Sequence, residues 1–121
     1  MSRVDDLNRI LRGLQSGVPD IDASALISED GLIIASALPQ HIDELRVAAM
    51  SSTLLSLGSR ASAELERGTL EQVIIRGPGG YAVLVTAAQG TLLLVLTTQA
   101  AKLGLVFFEM ARSVDQIKKI L

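Results

Sequence analysis

Apolar and polar positions recur along this chain with two periods, and its longest stretch of helical period organises the rest. Residues 43–67, DELRVAAMSSTLLSLGSRASAELER, read as one helix of about 25 residues, roughly 37 Å long at 1.5 Å per residue. Two stripes run along it. At about 100° per residue, Val47, Met50, Leu54, Leu57, Ala61 and Leu65 share the side expected to cover a core. On the opposite side Leu45, Ala49, Ser52, Ser56, Ser59 and Ala63 recur at intervals of 4, 3, 4, 3 and 4. That is the spacing of a helix–helix seam, filled almost wholly by small residues that let two backbones come close. A solvated Ala/Ser face would carry the same pattern, since neither residue demands burial.

Residues 2–15 form a second, shorter helical stripe with Val4, Leu7, Ile10, Leu11 and Leu14 on one face. Ser2 is placed to cap it, Asp5 completes a shortened capping box, and Gly17 and Pro19 stop it. Residues 23–28 and 32–37 read as strands joined by Glu29-Asp30-Gly31. The Asp-Gly pair suits a type I′ turn, which needs positive φ at both central residues. Asp43 then stands as a cap for the long helix, and Gly68 where a C-cap glycine belongs.

Three strand-like runs follow at 70–76, 81–87 and 91–97. Pro78-Gly79 fits the centre of a type II turn, and links this short force antiparallel neighbours. AVLVTA and LLLVL scarcely alternate, which predicts strands covered on both faces. The run 70–76, with Glu71 and Gln72 ahead of Val73, Ile74 and Ile75, suits an edge. A last helix spans about 101–121, with Leu103, Val106, Phe107, Met110, Val114, Ile117 and Leu121 as its stripe. Lys118 and Lys119 favour its C-terminal dipole. Gly104, which costs about 1 kcal/mol relative to Ala in a helix, is read as a close backbone contact. The order helix, two strands, helix, three strands, helix predicts a sheet with the long helix on one face and the terminal helices on the other.

Composition narrows this picture. A chain of 121 residues with 49% apolar and 20% charged residues is one globular domain, 1–121, by length. Aromatics are only 2%, so the core must be aliphatic. The net charge of −2 leaves no electrostatic footprint for nucleic acid. Absence of cysteine excludes disulfides and thiol chemistry. The polar N-terminus lacks a signal-peptide core, and the strongly apolar run Leu92–Leu96 is far short of a membrane span. A soluble cytoplasmic domain is the expectation.

Catalytic chemistry is hard to find. His41 is the single histidine, in a polar segment, so neither a transition-metal site nor a Ser/His/Asp constellation is expected. Gly77-Pro78-Gly79-Gly80 lacks the Lys and Ser/Thr of a phosphate loop and precedes a strand. Glu64 and Glu66 point about 200° apart on a helix. No cofactor and no enzymatic activity are expected, which turns attention to surfaces. An apolar edge strand at Val73, Ile74 and Ile75 is an aggregation liability unless paired or protected. Pairing it with a symmetry mate would also bring two long helices together in one isologous contact. Glu71 and Arg76 could instead protect the edge of a monomer.

The stretch Ile27-Ser28-Glu29-Asp30-Gly31-Leu32-Ile33-Ile34-Ala35-Ser36, the long Ala/Ser/Leu helix after it, Val73-Ile74-Ile75, Gly79-Gly80-Tyr81 and Leu103-Gly104-Leu105-Val106 occur in that order. Together they resemble the Roadblock family of dynein light-chain-like proteins, above all its bacterial members of the MglB type, over essentially the whole chain. The resemblance implies an α/β sandwich of profilin-like layout, with a five-stranded antiparallel sheet in the order 2-1-5-4-3. It implies homodimers joined through the third strand and middle helix, here Leu45, Ala49, Ser52, Ser56, Ser59, Ala63, Val73, Ile74 and Ile75. It further implies a non-catalytic regulator or scaffold of a small Ras-like GTPase, or an adaptor in a larger assembly; a small-ligand sensor fits the aliphatic composition less well. An activator can insert an arginine into the transition state, and Arg46, Arg60 and Arg76 are available. Arg46, Thr53, Arg60 and Glu64 share a flank of the long helix as the expected GTPase contact.

Overall fold

The computed structural model describes residues 2–121. Its elements are α1 (Arg3–Gly17), β1 (Ile21–Ser28), β2 (Ile33–Ala37), α2 (Glu44–Glu64), β3 (Val73–Gly77), β4 (Gly80–Thr86), β5 (Thr91–Thr97) and α3 (Leu103–Ile120). The strands form one antiparallel sheet in the order β2-β1-β5-β4-β3. Helices α1 and α3 pack on one face, over a core that includes Leu7, Leu11, Leu14, Leu26, Leu93, Val95, Met110 and Ile117. On the other face α2 closes a smaller core around Ala25, Ile27, Leu55, Leu84, Leu92 and Leu94. The α/β sandwich and its strand order are those that the family resemblance implies. The doubly covered strands are the central β1 and β5, whereas β4, also expected to be buried on both faces, is half-buried from Gly80 to Ala82 and exposed at Thr86.

Local signals decide most boundaries. Ser2 Oγ accepts from the Asp5 N–H at 3.1 Å, while the Ser2 N–H reaches Asp5 at 3.5 Å, closing the capping box of α1. Asp43 caps α2 by accepting from the Arg46 N–H at 3.2 Å. Three expectations change. The β1–β2 link is not a type I′ turn: Gly31 alone has positive φ (86°), and its N–H donates to Ser28 O at 2.9 Å. That is a three-residue loop with glycine in the left-handed position. In the β3–β4 hairpin the positive φ falls on Gly80 (129°) and not on Gly79, so the type II assignment fails. The C-terminus of α2 closes before Gly68. Glu66 N–H donates to Ala63 O and Arg67 N–H to Ser62 O, a Schellman closure that places Glu66 itself at φ 58°. Gly104 makes no close backbone contact, for a Cβ there would enter open space.

The main correction concerns α2. Of the stripe expected to cover the core, only Val47 and Leu54 pack against it. Met50, Leu57 and Leu65 are 52%, 61% and 65% exposed. The buried side is Ala48, Ser51 and Leu55, with Gly58 over Val73, about a quarter-turn away. Much of the bulk comes from the strands beneath, and apart from Leu55 the helix's buried positions are small.

Candidate functional site

Helix α2 runs across the strands. Near its start the Ser36 hydroxyl on β2 donates to Glu44 at 2.6 Å. Fourteen residues later Gly58 lies over Val73 of β3, where a Cβ would come within 3.0 Å of Val73 Cγ2. That length is about 21 Å, against about 19 Å for four strand spacings. The helix therefore spans the whole sheet, and residues 59–64 project roughly 9 Å beyond the β3 edge.

Three cross-strand rows lie on the α2 face: Thr86–Leu92–Ile27, then Val73–Leu84–Leu94–Ala25, then Ile75–Ala82–Leu96–Ala23. The small-residue flank of α2 looks toward the first row. Gly31 lies against Ala49 and Ser52, and a Cβ there would be 3.1 Å from Ser52 Oγ. Ser56, Ser59, Glu29 and Thr86 border a cleft of about 390 Å³ on the same side. The opposite flank, with Met50, Leu57 and Ala61, therefore faces the third row. There the sheet is only partly roofed: Ile42, Ile75, Ala82 and Leu96 line a groove of about 550 Å³.

The sequence-derived residues separate accordingly. Val73 is half-buried beneath Gly58, while Ile74 and Ile75 are exposed on opposite faces of the edge strand. Leu45, Ala49, Ser56, Ser59 and Ala63 are exposed and Ser52 is half-buried, all on the flank nearest the β1–β2 turn. Arg46, Thr53, Arg60 and Glu64 are all exposed on one side of α2 but are spread along about 27 Å of it, with Arg60 at the lip of the cleft beside Glu29 and Ser56. Thr53 Oγ1 donates to Ala49 O at 2.9 Å, while Arg46 and Arg60 form no ion pair among the described residues. Sequence reasoning turned Met50, Leu57 and Leu65 toward the core, whereas the structure leaves them exposed on one flank of α2. The overlooked signal is Gly58, because a glycine inside a long helix marks the side where another element approaches.

No group of three or more His, Cys, Asp or Glu is arranged to hold a metal ion among the described residues. Nor is any described helix long and apolar enough to cross a membrane. What the surface presents is an open sheet edge, unpaired backbone on β3 with apolar side chains on both faces, overhung by a helix with one apolar flank exposed.

Comparison with known proteins places this arrangement. A family model described as the Roadblock/LC7 domain matches residues 7–97. An uncharacterized protein of Methanocaldococcus jannaschii is 39% identical over 112 residues, covering 93% of this chain and 96% of its own. The crystal structure of a Roadblock/LC7 domain from Streptomyces avermitilis superposes with a TM-score of 0.85 at 29% identity, covering 93% of this chain and 94% of that one. MglB of Myxococcus xanthus gives a TM-score of 0.88 at 17% identity, covering 99% and 90%, and shares the fold.

Proposed function

The chain belongs to the Roadblock/LC7 domain family, and from that premise we propose that it is a non-catalytic homodimer that scaffolds or regulates a small Ras-like GTPase in the cytoplasm. The observation that carries this reading is the geometry of the β3 edge. A two-fold axis normal to the sheet would pair two β3 strands into a ten-stranded sheet. The overhang of each α2 would then lie over the third row of the other copy, and the flanks bearing Met50, Leu57 and Ala61 would meet across the axis. The exposed leucines and the half-roofed groove at Ile75 would be covered in one contact. Interface residues on this reading are Val73, Ile74, Ile75, Met50, Leu57, Ala61 and Leu65, with the Ser56–Ser59 flank left outward.

Such a dimer would present two antiparallel α2 helices side by side, each carrying Arg46, Thr53, Arg60 and Glu64, as a polar platform for a partner. The test is co-purification with Ras-like GTPases loaded with GDP or a GTP analogue, combined with hydrolysis measured with and without this protein. Binding that depends on the nucleotide, and that weakens in an Arg60→Glu variant still dimeric by light scattering, is the expected result. No binding in either nucleotide state would overturn the GTPase reading. Mixed complexes with a different Roadblock chain would point to the adaptor role instead.

A further inference from the structure

The β3 edge carries charges of opposite sign at its two ends, on the same side of the sheet. Arg76 stands opposite Tyr81, whose side chain packs toward the α1/α3 core, and directly opposed residues share a face. At the other end, Glu71 and Asp115 of α3 border a cleft of about 310 Å³ with Val85, Met110 and Val114 among its walls. All three charged side chains are exposed, and none has an ion pair among the described residues. Within one chain, Glu71 precedes β3 and Arg76 stands near its far end, with Val73–Ile75 of the strand between them, and no ion pair joins them.

We propose that these charges form a two-fold lock, in which Arg76 of one copy enters the acidic mouth made by Glu71 and Asp115 of a second copy. The lock rests on the edge-paired dimer proposed above, and adds what selects its register and its partner. In antiparallel pairing about a two-fold axis centred on Ile74, Arg76 lies opposite residue 72 of the second strand. Centred on Ile75, it lies opposite residue 74, with residue 72 and the second Arg76 both on diagonals, so the lock favours the Ile74 register. Opposite and diagonal neighbours are about 5–8 Å apart, which an arginine side chain spans to reach the carboxylates beside residue 72. Symmetry makes the contact twice. A slipped pairing centred on Arg76 would instead set two guanidinium groups side by side, so the same charges penalise the wrong register. A related chain lacking either charge would also pair less well.

Sedimentation equilibrium on the full chain tests the lock with three variants. They are Arg76→Glu, the compensated triple Arg76→Glu/Glu71→Arg/Asp115→Arg, and Arg12→Glu, which makes the same charge change on the exposed surface of α1. Arg76→Glu should raise the dimer dissociation constant about tenfold or more at low salt, and less at high salt. Arg12→Glu should leave the constant within about twofold, and the triple variant should recover most of the loss. Mixing Arg76→Glu with Glu71→Arg/Asp115→Arg should yield mixed dimers in preference to either homodimer. If the wild-type chain stays monomeric throughout, the edge-paired dimer is itself wrong. If it dimerises but Arg76→Glu behaves like Arg12→Glu, or the triple is as weak as Arg76→Glu, the lock is wrong and the dimer stands.

Discussion

Leu57→Glu separates the two flanks of α2. Fully burying a leucine side chain is worth about 1.5–3 kcal/mol. Leu57 is 61% exposed in the single chain, so a contact that covers the remainder gains about 1–2 kcal/mol per copy. The two-fold doubles this to about 2–4 kcal/mol, and at 1.4 kcal/mol per decade the loss is roughly 30- to 700-fold in dissociation constant. A carboxylate buried at the crossing adds a desolvation cost, so that range is a floor. The fold itself should hardly notice, since an exposed helical position normally tolerates substitution within about 0.5 kcal/mol. Ser56→Glu places the same charge one residue away, on the flank facing the β1–β2 turn, and is the matched control. Sedimentation equilibrium over a wide concentration range, with urea unfolding of each variant, reads both quantities. Splitting by Leu57→Glu but not by Ser56→Glu is expected. The reverse outcome would make the small-residue seam the interface, and loss by neither would refute a helix-mediated contact.

Further predictions concern the local backbone, each read from urea unfolding. Glu66→Gly should stabilise the fold by about 0.5–1 kcal/mol, because Glu66 holds φ 58° at the α2 terminus and glycine adopts that conformation without steric cost; a destabilised variant would mean that the Glu66 side chain has a role the backbone does not reveal. Gly58→Leu should cost about 1–3 kcal/mol, since even a Cβ there would press on Val73 and Leu70; an unchanged midpoint would show that β3 yields freely. Gly80→Ala should cost about 1–3 kcal/mol, as Gly80 has φ 129° and an added Cβ would strike the Thr97 backbone. Gly104→Ala, at a helical position facing open space, should instead gain about 0.4–1 kcal/mol, and equal effects at the two glycines would contradict this account.

Much of the architecture was legible because it is encoded locally. Ser2 with Asp5, Asp43, Pro39 and the short glycine links each act within a few residues, and they fix where elements start and how neighbouring strands must pair. The runs 81–87 and 91–97 announced a sheet interior through continuous apolar residues, although it is β1, with the buried run Ala23–Ile27, that joins β5 at the centre. Turn types were less legible. Both Asp30-Gly31 and Pro78-Gly79 signal a reversal, but which residue takes positive φ depends on how the flanking strands twist and register. In the β1–β2 pair, a register shift between Leu26 and Ile27 accompanies the loop, and no residue type in the turn discloses it. The cleft beside Glu71 was also invisible, because Asp115 reaches it from α3, more than forty positions along the chain.

The misassigned face of α2 has a physical cause that bears on function. A hydrophobic stripe reports which side of a helix avoids water, not which neighbour it avoids water against. Where a helix crosses a sheet whose own residues are large, as at Leu84, Leu92, Leu94 and Ile27, the space left for helix side chains is small. Ala48, Ser51 and Gly58 fill most of it, with Leu55 as the one large side chain fully inside and Val47 and Leu54 packed at its margin, and close packing leaves little room for more. Larger residues on that helix then need another surface, and Met50, Leu57 and Leu65 find none within the chain. By helical periodicity they lie on the flank of α2 turned toward the third row and its groove, so on the proposed dimer a single body approaching along the β3 edge would exclude water from flank, groove and edge together. On the dimer proposed above, a second copy arriving along the β3 edge would cover this outward flank, which the chain's own sheet leaves more than half exposed at Met50, Leu57 and Leu65.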